Sequence, residues 1–142
     1  MEREKAEAGS GYRFTNGKDA TAICIPQYKE GFLRLMPKEG ALAFFACGWG
    51  DAEVRELAAS LAYAHAADAT TQADELNLAC NKLTDASVPV LVELLASGAV
   101  PKLKELAVQG NELSWNAKEK MSASAVEELQ AAGEARGVRV VA

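Results

Sequence analysis

Few side chains in this sequence are of the types that carry chemistry, and their spacing does not suit it. His65 is the only histidine and follows a helical pattern among alanines, so acid–base catalysis or metal binding would lack local partners. The three cysteines, Cys24, Cys47 and Cys80, are widely spaced and form no C-x-x-C pair, which indicates neither a zinc site nor a disulfide framework. We therefore predict that the protein is not an enzyme and needs no metal or cofactor.

The acidic side chains could act as general acids or bases, but their positions indicate another role. Glu127 and Glu128 fall on one predicted helix, and Asp51, Glu53 and Glu56 fall on another, each with an apolar opposite face. Such residues are typical of a solvated helix surface. The sequence also contains no glycine-rich phosphate loop, nucleophile elbow or zinc-binding histidine pair.

Composition and charge restrict the partners and the location. Of 142 residues, 49% are hydrophobic and 25% are charged, with a formal net charge of −5. Basic residues are interspersed with acids, which argues against nucleic-acid binding, and no apolar run approaches the roughly 18 residues that direct membrane insertion requires. The amino terminus lacks the apolar stretch of a secretory signal. We expect a cytoplasmic or other reducing intracellular location, and an organellar location after processing stays open.

An internal repeat predicts the elements that position these side chains. Residues 103–113 (LKELAVQGNEL) fit the pattern L-x-x-L-x-L-x-x-N-x-L at every fixed position, and residues 73–83 (ADELNLACNKL) lack only the first leucine. The two copies align Leu76 with Leu106, and a helical pattern follows each, so we predict strand–helix units. Asn81 and Asn111 stand where a side-chain amide can bond the unpaired backbone groups of a turn, which predicts a structural role.

A third, weaker copy precedes these two. Residues 43–48 align with residues 76–81, an offset of 76 − 43 = 33 residues. The helical pattern that follows aligns Asp51 with Asp85, an offset of 85 − 51 = 34 residues, so we expect one extra residue in the second copy's turn. In this alignment Gly48 replaces an asparagine, which predicts a looser first turn. Cys47 and Cys80 occupy the same position, where small buried residues are usual, so we predict that both thiols are buried and reduced.

The carboxyl-terminal part completes a predicted repeat domain. A helix is predicted from Trp115 to about Arg136, and residues 138–140 align with residues 106–108, which predicts a terminal strand. Residues 40–142 would thus hold about three strand–helix units and a last strand, which is near the minimum for a stable stack.

The amino-terminal segment is predicted to cap this stack. Residues 11–39 contain two short stretches, 12–15 (YRFT) and 21–25 (TAICI), on either side of an Asn16-Gly17 turn signal, and the pattern predicts a hairpin followed by a short helix or loop. Such a cap would cover unpaired strand edges. Residues 1–10 are charged and small, so we predict that they are disordered.

These features resemble a known family. The strand pattern that ends in asparagine, the phrase NKLTDASV at residues 81–88 before a full helix, and the phrase ARGVRV at residues 135–140 are similar to the ribonuclease-inhibitor-like class of leucine-rich repeats. The resemblance implies an α/β fold, namely a short solenoid with parallel strands on the concave side and helices on the convex side. It also implies a protein-binding surface, since members of the class include enzyme inhibitors, GTPase activators and ligand-sensing receptor domains.

The resemblance and the missing catalytic constellation suggest a function. We predict a non-catalytic protein–protein interaction module that acts as a small structural or accessory subunit of a larger assembly. The alternative is a regulator that acts directly on an enzyme, as an inhibitor or a GTPase activator does. A GTPase activator would need an exposed arginine in a turn, and the segments after Asn81 and Asn111 contain none.

The predicted binding surface is the concave face of the strands. In the repeat pattern the leucines turn inward, so the alternating residues turn outward and change from apolar through acidic to basic along the stack. Phe44, Asn77, Ala107 and Arg139 would form one row across it. The predicted partner-binding residues are Leu42, Phe44, Asp74, Glu75, Asn77, Lys104, Glu105, Gln109, Arg136 and Arg139.

Overall fold

The chain forms two compact units, Met1–Leu35 and Met36–Ala142, which we call the N-terminal and C-terminal units. The structure is a computed structural model, and it describes residues 3–5, 12–14, 25–111 and 121–142. In the N-terminal unit, β1 (Arg3–Lys5) pairs antiparallel with β2 (Tyr12–Phe14), and α1 spans Ile25–Leu35.

Two expectations for the N-terminal unit are wrong. Arg3–Lys5 forms a strand that pairs with β2, so residues 1–10 are not without structure throughout. Ile25 begins α1 instead of ending a strand, because Pro26 has a fixed φ that suits the first helical turn and has no N–H for a strand ladder. Asn16, Gly17 and residues 21–24 lie outside the described residues. The capping role of residues 11–39 stays a prediction.

The C-terminal unit alternates strands and helices around a four-stranded parallel sheet, which confirms the α/β class. The sheet order is β3-β4-β5-β6, so strands that follow one another in the chain lie side by side. Helix α2 packs against α3, and α3 packs against α4. The elements are a 3₁₀ turn (Met36–Lys38), β3 (Ala41–Ala43), α2 (Asp51–Ala66), β4 (Glu75–Asn77), α3 (Ser87–Ala96), β5 (Glu105–Ala107), α4 (Ala123–Glu134) and β6 (Arg139–Val141).

The core lies between this sheet and its helices. One row of side chains crosses the sheet in register and points toward the helices: Leu42, Leu76, Leu106 and Val140. Apolar helix residues complete the same cluster: Val54, Leu61, Leu91 and Leu129. Leu78 and Leu106 are buried, as predicted. Full burial of a leucine contributes about 1.5–3 kcal/mol, so this cluster is the main stabilising feature of the unit.

The register of the first strand differs from the prediction. Leu42 pairs with Leu76, whereas the predicted alignment placed Ala43 beside Leu76. A slip of one residue turns every side chain of a strand to the opposite face. Leu42 is therefore buried and Phe44 packs against the core, so the expectation that these two residues face outward is wrong. At the other end, Val140 and not Val138 pairs with Leu106.

The helix ends follow from local capping. The Glu53 carboxylate accepts a hydrogen bond from the Gly50 N–H at 2.7 Å, which satisfies a free amide at the start of α2. The Ser122 hydroxyl accepts from the Ala125 N–H at 3.3 Å, and α4 begins immediately afterwards at Ala123. The helix predicted from Trp115 therefore starts too early, since residues 121–122 are not helical; residues 112–120 lie outside the described residues.

Candidate functional site

The turns that follow β3, β4 and β5 are connected to one another by hydrogen bonds from asparagine side chains. Asn81 is buried after β4, and its Oδ1 accepts from the Cys47 and Trp49 N–H groups, both at 3.0 Å. Its Nδ2 donates to the Phe44 carbonyl at 2.8 Å and to the Leu78 carbonyl at 3.0 Å. One side chain therefore satisfies the backbone at the ends of two adjacent strands.

Asn111 makes the same kind of connection one segment later. It is 1% exposed. Its Oδ1 accepts from the Leu83 N–H at 3.1 Å, and its Nδ2 donates to the carbonyls of Leu78 and Val108 at 3.0 and 2.7 Å. The two asparagines thus link three consecutive turns through their side chains, which fixes the edge of the sheet from which any binding loops would project.

The first turn lacks such an asparagine of its own. In the observed register, where Leu42 pairs with Leu76, the position of Asn81 is taken by Cys47, and not by Gly48 as predicted. The aromatic rings of Phe44 and Trp49 stack beside it, with centroids 4.3 Å apart and planes inclined by 22°. This contact adds apolar packing where the amide bonds of a buried asparagine are missing.

Cys47 and Cys80 are free thiols, as predicted, but the prediction that they are buried at one shared repeat position is wrong. The observed strand registers place Cys80 in the same position as Ala46 in the preceding segment and Gly110 in the following one. All three residues have positive φ, between 51° and 79°. Cys47 and Cys80 therefore do not share a position, and both free thiols are exposed. The Cys80 thiol therefore does not belong to the core.

Helix starts are connected in the same inter-segment manner by aspartates. The Asp51 carboxylate accepts from the Thr84 N–H at 3.0 Å, from the Thr84 hydroxyl at 2.6 Å and from the Ser87 hydroxyl. Burial raises the pKa of Asp51, but the hydrogen bonds from Ser87 and Thr84 outweigh it and hold the pKa below its ordinary value of 3.8. Asp85 accepts from the Ser122 N–H and hydroxyl at 2.6 and 2.8 Å. The expectation that Asp51 only contributes to a solvated helix surface is therefore wrong.

The outer face of the sheet, opposite the helices, is the candidate binding surface. Its first row consists of Ala41, Glu75, Glu105 and Arg139. Its second row consists of Ala43, Asn77, Ala107 and Val141, so the predicted row that began at Phe44 and ended at Arg139 is wrong at both ends. Beyond the strands the register continues through the hydrogen bond from the Ala46 N–H to the Ala79 carbonyl, which places Phe45 beside Ala79.

Two ion pairs lie within the strands of this face or directly before them. Lys104 Nζ lies 3.8 Å from the Asp74 carboxylate, and an Arg139 guanidinium nitrogen lies 3.9 Å from the Glu105 carboxylate. These side chains are 40–79% exposed, so each pair contributes little to stability. Arg136 lies in the turn between α4 and β6, and no strand pairing places it on this face.

The side chain that stands out is Phe45, which is not among the predicted partner-binding residues. It is 58% exposed, whereas Ala79, its neighbour on the next strand, is buried and offers little side-chain surface. Gln109 is half-buried at the equivalent position of the third segment. The alignment of the helical patterns would have identified Phe45, because it also aligns Leu42 with Leu76 and leaves Phe45 on the outer face.

The described residues show no arrangement suited to catalysis. His65 is exposed and its Nδ1 lies 2.8 Å from the Thr70 hydroxyl, with no cysteine or carboxylate among its hydrogen-bonding partners there. Within residues 3–5, 12–14, 25–111 and 121–142, no three histidine, cysteine or acidic side chains are grouped so that they could hold a metal ion. The helices in the same ranges include none with the length and apolarity to cross a membrane.

Comparison of the chain with protein-family models, with curated proteins and with solved structures finds no match. Its function must therefore be inferred from its own residues.

Proposed function

We propose that the chain is a short leucine-rich repeat protein of the ribonuclease-inhibitor-like class. Three features support this assignment. In the C-terminal unit the strands are parallel, and a helix follows each of β3, β4 and β5 in the chain. A single row of leucine and valine crosses this sheet, and asparagines close successive turns. In this proposal the outer face of the sheet is the concave face of a solenoid, and the helices form its convex side.

Its function is to bind another protein without catalysing a reaction, as a small structural or accessory subunit of an assembly. The observation that carries this proposal is Phe45, an aromatic side chain 58% exposed on the outer face. Large aromatic side chains are enriched among the residues that dominate binding energy, and burial of such a ring would supply the apolar contact of an interface. The paired charges of Lys104, Asp74, Arg139 and Glu105 would form its polar rim.

Affinity capture with a tagged chain in native extract tests the proposal. We expect a stoichiometric partner that binds the wild type, and we expect Phe45→Ala to lower the affinity at least about tenfold, since hot-spot truncations cost more than about 1.4 kcal/mol. The fold should be unaffected, because the side chain is largely exposed.

Tyr63→Ala is the matched control. Tyr63 is 45% exposed on α2, on the helix side of the same unit, so its truncation removes a similar aromatic area from the opposite surface. Capture should be retained. If Phe45→Ala captures the same proteins as the wild type, or if Tyr63→Ala loses them instead, the outer face is not the binding surface.

A further inference from the structure

A second surface lies on the helix side, between α2 and α3. The two helices enclose a groove of about 310 Å³ whose lining includes Ala58, Ala59, Ala62, Val90 and Leu94. Small side chains from α2 form one wall, so a second helix could approach the backbone closely. This groove shares no residue with the outer face of the sheet.

The surface around the groove carries few charges for an exposed helix face. Within α3, Glu93 is the only charged residue, and no aspartate, glutamate, lysine or arginine follows Glu56 within α2. The neighbouring α4 exposes Glu127 and Glu128. Solvated helix faces are normally polar, and contiguous apolar patches mark interaction sites. The apolar character is therefore particular to α2 and α3.

The groove has one cation, Arg55, on α2 and one anion, Glu93, on α3. Both side chains are exposed, and within the described residues neither forms an ion pair. In an interface with two-fold symmetry, residue i of one copy meets residue j of the other, and residue j meets residue i. Because Arg55 and Glu93 lie on the two walls of one groove, each can meet the other's counterpart in a second copy.

From this complementarity we propose that the groove between α2 and α3 is the interface of a homodimer, occupied by a second copy of this chain. Arg55 of each copy faces Glu93 of the other, and the small side chains of the two α2 helices pack together across the symmetry axis. The dimer leaves the outer face of the sheet free, so it is compatible with the proposed function and independent of it.

Charge reversal tests this arrangement. Arg55→Glu leaves two anions in each groove, and Glu93→Arg leaves two cations. Each dimer would lose two exposed pairs and gain repulsion, so sedimentation equilibrium should show a dissociation constant raised about tenfold or more, which corresponds to about 1.4 kcal/mol. Glu128→Arg on α4 is the matched control and should leave the dissociation constant unchanged.

An equimolar mixture of the two variants is the decisive sample. In a heterodimer, the two substituted side chains face each other at one contact, and the unchanged Glu93 and Arg55 face each other at the second. Both pairs are thereby restored, so the mixture should dimerise as the wild type does. A monomeric wild type, or a mixture that dimerises no better than either variant alone, would overturn the proposal.

A charge placed within the groove gives a second test. Ala59→Glu, at an exposed position of the groove, should abolish the dimer, because the carboxylate would lie against small apolar side chains of the second copy. Ala131→Glu, at an exposed position of α4, is its matched control and should leave the dimer intact. A dimer that tolerates Ala59→Glu would show that the groove is not the interface.

Discussion

The turns after β3 and β4 occupy equivalent positions but are held differently. After β4, the turn has its own asparagine, Asn81, and also receives hydrogen bonds from Asn111. After β3, the asparagine position holds Cys47, and the side-chain amide bonds come only from Asn81 of the next segment. The comparison shows that each asparagine serves the preceding turn as well as its own, so the first turn keeps part of the bonding although it lacks the residue.

The largest expected loss of stability comes from the inward side chains of the two regions. Leu78 and Phe44 are equivalent in the observed register, but Leu78 is fully buried whereas Phe44 is half-buried. We expect Leu78→Ala to lower the free energy of unfolding by about 2–5 kcal/mol. Phe44→Ala should cost roughly half as much, because part of the ring is already in water. Urea unfolding measures both, and equal losses would show that the first segment is packed as firmly as the second.

Replacing the asparagine that follows β4 should give the next largest loss of stability. Asn81→Ala leaves the Cys47 and Trp49 amides and the Phe44 and Leu78 carbonyls without these partners. Each unsatisfied buried group costs about 1–3 kcal/mol, and water can reach the half-exposed first turn, so we expect a total loss of about 2–4 kcal/mol. Cys47→Ala, the equivalent change one segment earlier, should stay within about 0.5 kcal/mol. Similar losses in chemical denaturation would contradict the inter-segment role of Asn81.

Two glycines with positive φ allow a matched test of how closely the turns pack. A Cβ on Gly110 would lie 2.7 Å from Cys80 Sγ and 3.3 Å from Cys80 Cα, whereas a Cβ on Gly48 would meet nothing within 4 Å. Gly48→Ala should therefore cost only the left-handed strain of about 1–2 kcal/mol. Gly110→Ala should lower the melting temperature further, because steric overlap is added. If both variants melt alike, the third turn is not packed against the second as described.

The smallest effect concerns pH and the start of α2. The pKa of Asp51 is lower in the folded chain than its ordinary value of 3.8. A carboxyl of this kind stabilises the fold above its unfolded pKa, and the stabilisation is lost as the pH falls through the folded pKa. Asp51→Asn should therefore flatten the decline of melting temperature below about pH 4. An unchanged profile would contradict the lowered pKa of Asp51 in the folded chain.

The fold class and most of the core could be predicted from the sequence, because the leucines of β4 and β5 repeat at a fixed spacing. Leu76 and Leu106 pair in register, as the alignment of the two repeat copies implies. The first strand could not be assigned from its own residues, since Leu42, Phe44 and Phe45 place apolar side chains on both faces. The correct alignment can be read only from the helical pattern that follows β3. In the folded chain the core requires this register, because Leu42 fills the same row as Leu76.

The candidate site was predicted less completely for a related reason. Glu75, Asn77, Glu105 and Arg139 lie on the outer face as expected, because alternation within a well-formed strand fixes their direction. Phe45 was not predicted to be a binding residue, because the predicted register of β3 differs from the observed one by one residue. The hydrogen bonds that Asp51 accepts from the next segment were also missed, since no local pattern shows which hydroxyl will face it in the folded chain.

The central claim, that the outer face of the sheet binds a protein, is tested most directly by site-specific photo-crosslinking. Ala43 is exposed on this face and Ala131 is exposed on α4, so a photoreactive residue at either position should be tolerated. The probe at position 43 should crosslink to a partner protein in native extract, and the probe at position 131 should not. Crosslinks at position 131 with none at position 43 would contradict the claim and assign binding to the helix side.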